Sequence, residues 1–416
     1  MNAAPHPRTQ APTVLLAVTC AVTAANVYLC QPILGSVAAS LGASPDALGP
    51  VATATQLGYA LGILLVVPAG DSHDRRRIVL ALTAASSLAL AACALAPNVA
   101  FLAVASLVLG LCSPVPQLIT PLAVALTDAE GGGAGRGRTV GAVQGGLLVG
   151  VLASRAYAGA LAEIAGWRTV YVTSCLLALA LMGVLARRLP TAPGRDPISY
   201  KTAPTSYKTA LASLPGLVRQ PLVARVVVSG ALVGIAFGAF WTTLTFLVTD
   251  TYGFGSTAAG MFGLVAAVSA LASPYAGRSA ERLGRRGAIA LLTTLVLAGW
   301  LILLPGGAGG NGSLVALVVG VIVLDVGVWG GQAVCQTVLF TLDPAAHNRL
   351  NTVYFTLRFL GIALGSLAGT VAWAAGGWPG VVAMGLAATG AGLVVGVLPV
   401  RARAKAPDAV SAGRER

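Results

Sequence analysis

The chain alternates between long apolar stretches and short polar connections. A membrane-spanning helix needs about 20 mostly apolar residues, and twelve stretches meet this requirement. Six lie in each half of the chain, which predicts an all-α membrane protein of twelve transmembrane helices. The predicted spans are residues 13–34, 47–69, 78–96, 99–126, 139–162, 167–187, 222–249, 257–280, 287–305, 313–341, 350–374 and 378–399.

A basic turn follows the second apolar stretch in each half. Residues 277–286 read GRSAERLGRR and residues 70–77 read GDSHDRRR, so that aligning Asp71 with Glu281 places the copies 210 residues apart in a chain of 416. This internal repeat predicts two pseudo-symmetric six-helix bundles, an arrangement typical of transporters. The predicted units are a first bundle (1–188), a cytoplasmic linker (189–220), a second bundle (221–400) and a cytoplasmic tail (401–416).

The basic residues predict how the spans are oriented. Of 26 lysines and arginines, all but Arg155, Arg168 and Arg358 fall in the termini, in even-numbered connections or at the adjoining helix ends. The positive-inside rule therefore places both termini, the linker and both basic turns in the cytoplasm. We expect a multi-pass protein of the cell membrane, embedded in the lipid bilayer.

Composition supports this class. Hydrophobic residues make up 56% of the chain and charged residues only 9%, against about 25% charged in soluble domains. The net charge of +13 does not indicate a nucleic-acid partner, because no block of lysine and arginine is interleaved with aromatic residues. The six cysteines all lie in apolar stretches without CxxC spacing, which favours small core residues and indicates no metal or cofactor.

The linker has two open interpretations. It is rich in proline, serine, threonine and basic residues, and it contains the near repeat SYKTA at 199–203 and 206–210. It is either a polar connection between the two bundles or a basic amphipathic segment that rests on anionic lipid.

The second basic turn resembles a family signature. Gly277, the pair 281–282 and the run 284–286 match G-x-x-x-D-R-x-G-R-R of the major facilitator superfamily, with Glu281 in place of aspartate. Further resemblance to its twelve-span bacterial drug and metabolite exporters covers nearly the whole chain. It runs through ANVYLCQPIL (25–34), ATQLGYALG (54–62), LDVGVWGG (324–331) and NTVY (351–354). The arginine usual in span four is replaced by Ser106, and the Gly-Pro pair usual in span five of antiporters is absent.

The resemblance implies a cytoplasmic gate at the signature turns. In the family, the acidic residue pairs with neighbouring arginines and with a helix N-terminus, which favours the outward-open state. The matching residues here are Asp71, Arg75, Glu281, Arg282 and Arg286. The other interpretation is that these arginines only fix the topology.

Three ionisable residues fall inside predicted spans, where a charge costs about 2.5 to 3.5 kcal/mol on insertion scales. With a rise of 1.5 Å per residue, Asp325 and Arg358 lie near the midplane, and Arg155 lies farther along span five, where its side chain could instead reach the surface. We expect Asp325, Arg358 and Arg155 to be the proton-coupling residues. For Asp325 the competing interpretation is a static ion pair with Arg358 that only joins spans ten and eleven.

Amide and aromatic side chains within the spans form a candidate substrate cavity. A mostly apolar cavity with a few amides favours a neutral or weakly polar organic molecule over an ion. The candidates are Asn26, Tyr28, Gln31, Gln56, Tyr59, Gln117, Gln144, Trp241, Trp329, Gln332, Gln336 and Tyr354.

The sequence therefore predicts a monomeric transporter that exports small organic molecules, drugs or metabolites, by alternating access in exchange for protons. Import or facilitated exchange remains open, because alternating access works in both directions, and so does a membrane receptor that transports nothing. An enzyme is not expected, because the histidines lie outside the spans and no HExxH, GxSxG or P-loop motif occurs.

Overall fold

The computed structural model describes residues 11–44, 46–129, 136–189, 207–267, 269, 273–342 and 347–397. All regular secondary structure in these residues is helical, and short 3₁₀ helices cover Gln31–Ile33, Asp46–Leu48 and Leu304–Ala308. The α-helices are α1 (Ala11–Ala25), α2 (Leu34–Leu41), α3 (Gly49–Val66), α4 (Ala69–Ser72), α5 (Arg75–Ala94), α6 (Val99–Leu111), α7 (Val115–Ala129), α8 (Arg136–Ala165), α9 (Trp167–Arg188), α10 (Tyr207–Val218), α11 (Pro221–Tyr252), α12 (Ser256–Ala267), α13 (Ser273–Leu303), α14 (Gly310–Phe340) and α15 (His347–Val397).

The predicted spans fall on these helices. Nine helical segments in the described residues are long and apolar enough to cross a membrane, and the apolar parts of α1 and α12 are shorter. Two helices carry parts of two spans. Gly284 (φ 69°) separates spans eight and nine within α13, and Gly377 (φ 55°) separates spans eleven and twelve within α15. These left-handed φ angles suit glycine and allow the chain to reverse.

Spans one and four, each predicted as one helix, are interrupted. Span one turns over 26–30 between α1 and the 3₁₀ helix that precedes α2. Span four breaks between α6 and α7 just before Val115, where Pro114 has no amide hydrogen to donate. Side chains satisfy exposed carbonyls at both breaks, because Gln56 Nε2 donates to Val27 O (3.3 Å) and a serine hydroxyl of α5 donates to Cys112 O (2.9 Å). Irregular backbone at membrane depth requires such partners.

The helices of the two halves pack in the same order. In the first half α8 packs on α1, α6 on α3 and α9 on α5, so that spans five and one, four and two, and six and three are in contact. In the second half α15 packs on α11, α14 on α12 and α15 on α13. These contacts join span eleven to span seven, span ten to span eight and span twelve to span nine. This parallel order is what pseudo-symmetric bundles require.

Two helix pairs pack between the halves, and glycines bring one of them, spans five and eight, into close backbone contact. Span two packs on span eleven through α3 and α15, and span five packs on span eight through α8 and α12. A Cβ atom at Gly159 would overlap the backbone oxygen of Ser256, and one at Gly260 would overlap that of Arg155. Small residues therefore set the approach of the halves, as in other membrane helix pairs.

The linker contains a helix that touches both halves. Residues 190–206 lie outside the described residues, and the rest of the linker forms α10 instead of a wholly irregular connection. The Tyr207 hydroxyl donates to Leu65 O (3.0 Å) in the first half, and Arg349 Nη1 donates to the Ser213 hydroxyl (3.3 Å). We call this end of the bundle the basic end; its arginines include Arg75, Arg76, Arg77, Arg187, Arg188, Arg219, Arg225, Arg282, Arg285, Arg286 and Arg349.

All six cysteines are free thiols. Five are buried, and the half-buried Cys175 donates to the backbone oxygen of Ser87. In the described residues no group of three or more histidine, cysteine, aspartate or glutamate side chains could hold a metal ion. The cysteines thus pack as small apolar residues.

Candidate functional site

A cavity of about 770 Å³ lies between the halves. Its lining runs from the middle of the bundle, at Tyr28 and Phe237, to Arg75 and Asn348 at the basic end. The volume is within the range of about 300 to 1,000 Å³ that is typical of small-molecule sites.

Hydrogen bonds join the halves at the opposite end of the bundle. The hydroxyl oxygens of Ser36 and Ser256 lie 2.6 Å apart, and the backbone amide of Thr257 donates to Glu163 Oε2 at 2.9 Å. The bundle is therefore closed at the end farthest from the basic turns, while the cavity extends towards them.

Seven of the twelve candidate cavity residues line this cavity. All are amide or aromatic side chains, and they come from both halves: Tyr28, Tyr59, Gln117, Gln144, Trp329, Gln332 and Gln336. The cavity is lined in addition by Arg358 and by Arg75, which the sequence assigned to proton coupling and to the gate.

Amide groups bridge the halves across the cavity. Gln336 Nε2 donates to Asn351 Oδ1 (3.1 Å), and Asn351 Nδ2 donates to Gln117 Oε1 (3.4 Å). Gln117 belongs to α7 of the first half and the other two to α14 and α15. A chain of amides held in this way supplies polar groups for a ligand while satisfying its own hydrogen bonds.

The other five candidates do not line the large cavity. Asn26 and Gln56 are buried at the break in span one, Tyr354 packs against Gly230, and Gln31 and Trp241 hold Arg155. These buried side chains do not form part of the cavity lining.

Sequence reasoning missed much of the aromatic and polar lining. Phe237, Phe355 and Phe359 look like ordinary lipid-facing or core residues in an apolar stretch, and Asn348 and Asn351 lie at the start of span eleven. Residues 351, 355 and 359 are spaced four apart, and Arg358 follows residue 355 by three positions. Residues at these spacings share one face of a helix, so this periodicity is the signal that identifies the cavity-facing side of span eleven.

Arg155 is held within a cluster that crosses between the halves. Its side chain is 1% exposed, which excludes the alternative that it reaches the surface. Its Nε and Nη2 donate to Gln31 Oε1 (3.3 and 3.2 Å), and its guanidinium carbon lies 3.8 Å from the ring centroid of Trp241. Gln31 and Arg155 belong to the first half and Trp241 to the second, so cation–π attraction contributes to the contact between the halves.

Asp325 is the only fully buried carboxylate in the described residues. It interacts electrostatically with Arg155 and, more weakly, with Arg358, and it also interacts with the indole groups of Trp329 and Trp241. The two indole interactions fall short of full hydrogen-bond geometry, and among the described residues no ion pair within 4 Å joins Asp325 to either arginine. The static ion pair with Arg358, which is the competing interpretation of Asp325, is therefore not formed in this conformation. We call Gln31, Arg155, Trp241 and Asp325 the interhalf cluster.

The structure places the gate residues only in part. Nothing is described of the side chains of Asp71 and Glu281, whose backbones lie in α4 and α13, while Arg282 and Arg286 are exposed. Arg75 Nε donates to Gly70 O at 3.0 Å. Near the first turn Asp74 caps α5, because its Oδ1 accepts from the backbone amide of Arg76 (2.9 Å).

The comparisons with known proteins decide the family. The family model described as "Major Facilitator Superfamily" matches residues 16–366. The chain belongs to the major facilitator superfamily. Its similarity to "Probable transporter SCO4007" of Streptomyces coelicolor is 35% identity over 389 residues, which covers 92% of this chain and 85% of the relative. It is 33% identical over 378 residues to the Escherichia coli K12 protein "Putative uncharacterized transporter YgaY", covering 90% of this chain and 92% of the relative.

The major facilitator fold is confirmed by a solved structure. The nucleoside transporter NupG superposes with a TM-score of 0.68 at 14% identity, covering 93% of this chain and 98% of that chain. At this identity the likeness establishes the fold alone. Together with the helical architecture above, it confirms the all-α membrane fold predicted from the sequence.

Proposed function

We propose that this major facilitator protein exports small organic molecules across the cell membrane by alternating access in exchange for protons. The observation that carries the proposal is the interhalf cluster, in which a buried carboxylate of the second half interacts with a buried guanidinium of the first. Trp329 connects the substrate cavity to the proton-coupling residue, because its side chain lines the cavity and also interacts with Asp325.

In this proposal the two halves move relative to each other. The interface between spans two and eleven and the interface between spans five and eight are the surfaces along which they move. With the basic end in the cytoplasm, the described conformation faces inward. Opening of the opposite end separates Ser36 from Ser256 and withdraws Arg155 from Trp241 and Asp325. Interfaces that are packed in one of two arrangements support such discrete transitions.

This movement supplies a proton cycle. A nearby guanidinium favours the ionised carboxylate, whereas burial without that neighbour favours the neutral acid. Asp325 therefore takes up a proton when the outer end is open and Arg155 is distant. Asp325 releases the proton towards the cytoplasm when the outer end closes and Arg155 returns to its position near the carboxylate.

The gate is part of the proposal. If Glu281 interacts with its basic neighbours only when the cytoplasmic end is closed, then Glu281→Gln removes an attraction specific to the outward-facing state. We expect this variant to fold normally and to shift the population towards inward-facing forms, measured as increased labelling of single cysteines placed at the basic end. Unchanged labelling at both ends would restrict the basic turns to fixing topology.

Import together with protons is the second candidate. Arg358 lines the cavity within electrostatic reach of Asp325. An anion bound at Arg358 would favour the neutral acid at Asp325, which couples substrate and proton in the same direction. Export in exchange for protons instead requires that substrate and proton compete for binding to the protein, so that only one of them is bound at a time.

The test uses membrane vesicles that contain the full chain. Energised inverted vesicles are given labelled aromatic acids, aromatic amides and organic cations. We expect accumulation of at least one compound, collapsing when nigericin removes the pH gradient. Vesicles without the protein are the control. Accumulation only in right-side-out vesicles would establish import, and binding without movement in either orientation would establish a receptor.

A further inference from the structure

Arg358 is a buried cation that faces the cavity, and none of the described acidic side chains is in contact with it. Its side chain is 3% exposed, and it lines the large cavity as well as a small pocket beside Tyr354. No carboxylate oxygen of the described residues lies within 4 Å of its guanidinium. A buried charge that lacks a counter-ion is disfavoured, so a complementary anion would be bound strongly there.

The one buried carboxylate of the described residues does not neutralise this site. Asp325 is not within ion-pair distance (4 Å) of the Arg358 guanidinium, and its charge also interacts with Arg155. Two guanidinium groups thus share one carboxylate, which leaves an excess positive charge in the interior of the described chain. Among the described residues that line the cavity there is no acidic side chain.

The wall around Arg358 is aromatic. Tyr59 of the first half lies edge-on to Phe359 of the second, with ring centroids 4.5 Å apart, and Phe237 lies edge-on to Trp329 at 6.1 Å. Rings arranged in this way offer both faces and edges to a further ring. The cavity therefore presents an aromatic compartment beside one fixed positive charge.

We propose that the transported substrate is an aromatic carboxylate whose carboxylate group pairs with Arg358 and whose ring occupies this aromatic compartment. Arginine binds carboxylates through two parallel hydrogen bonds, which adds geometric specificity to the charge. The inference rests on the proposed transport function and not on its direction. It replaces the neutral substrate that the amide-rich sequence pattern favours.

The test compares matched probes on the purified full-length protein. Benzoate, 4-hydroxybenzoate and phenylacetate are titrated beside the corresponding amides, which keep the shape and lack the charge. We expect at least one acid to bind about tenfold or more tightly than its amide, because a hydrogen bond to a charged group commonly contributes that much. Equal binding of every acid and its amide, or no binding of any acid, would overturn the proposal.

Variants of Arg358 identify the group responsible. Arg358→Gln should weaken binding of the acid about tenfold or more while leaving the amide within about threefold, and Arg358→Lys should retain part of the preference because it keeps the charge but not the planar fork. The matched control is Arg219→Gln, which alters an exposed arginine. If the glutamine variant does not fold, the lysine variant decides. An undiminished preference for the acid in a folded variant contradicts the assignment.

Transport measurements separate this inference from the proposed function. Proteoliposomes that move an amide as well as the matching acid would refute the substrate class and leave the transporter intact. Proteoliposomes in which the acid binds with Arg358-dependent preference but never crosses the membrane would refute transport and leave the anion site intact.

Discussion

Replacing Asp325 with asparagine is expected to abolish transport driven by a pH gradient while preserving substrate binding and exchange. The amide keeps the shape of the carboxyl group and cannot release a proton at this position. The measurement is accumulation in inverted vesicles under an imposed pH gradient, beside exchange of labelled for unlabelled substrate without a gradient. We expect a loss of at least about a hundredfold in the first and little change in the second, as for removal of an essential proton-transfer group.

Asp250→Asn is the matched control. Asp250 lies near the end of α11 and is exposed, so its carboxylate is in contact with solvent and distant from the interhalf cluster. This variant should retain gradient-driven transport. Retention of that activity in Asp325→Asn would refute the coupling role.

A double variant separates coupling from a structural role. Asp325→Asn leaves Arg155 without the acidic group that it interacts with, but no contact pair is broken. The loss of unfolding free energy should therefore be smaller than the about 3 to 5 kcal/mol expected for a broken buried pair. Adding Arg155→Gln should recover stability without recovering gradient-driven transport. Recovery of both properties would show that the two residues only stabilise the bundle.

Adding Arg358→Gln to Asp325→Asn distinguishes the two arginines. Because Asp325 interacts more strongly with Arg155, this second double variant should recover less stability than the first. An equal or larger recovery would instead indicate that Arg358 is the main partner in the conformations that dominate in the membrane.

Burial of the charged residues within the spans was predictable from the sequence, but the partners that they face were not. A rise of 1.5 Å per residue placed Asp325 and Arg358 near the midplane, and both are buried. The competing interpretation paired Asp325 with Arg358 across spans ten and eleven. Arg155 lies in the other half, and its interaction with Asp325 depends on how span five packs on span eight and how span eight packs on span ten. Helix rotation and the approach of the halves are tertiary properties that one sequence does not specify.

The interruptions of spans one and four show a different limit. Hydropathy records that residues 13–34 and 99–126 are apolar, and it does not distinguish a continuous helix from two short ones. Pro32 and Pro114 mark both interruptions, since proline removes a backbone donor. Whether the chain breaks there depends on partners such as Gln56, which compensates the free carbonyl of Val27.

A disulfide between positions 36 and 256 is expected to stop transport completely and reversibly. The hydroxyl oxygens of Ser36 and Ser256 lie 2.6 Å apart across the end that is closed in this conformation. Two cysteines there can approach the sulfur separation of about 2.05 Å that a disulfide needs. Oxidation of Ser36→Cys with Ser256→Cys should therefore hold this end closed. Substrate flux is measured before oxidation, after it and after dithiothreitol, and reduction should restore the flux.

The matched controls are the two single cysteine variants, which oxidation should leave active because the native cysteines are free and mostly buried. A second control alters the packing of the halves. In the double-cysteine background Gly260→Leu should lower the cross-linking yield, because a side chain there overlaps the backbone of Arg155. Gly183→Leu should not, since the space around Gly183 is open. Full flux through the cross-linked protein would exclude opening of this end from the transport cycle, and with it the proposed withdrawal of Arg155 from Asp325.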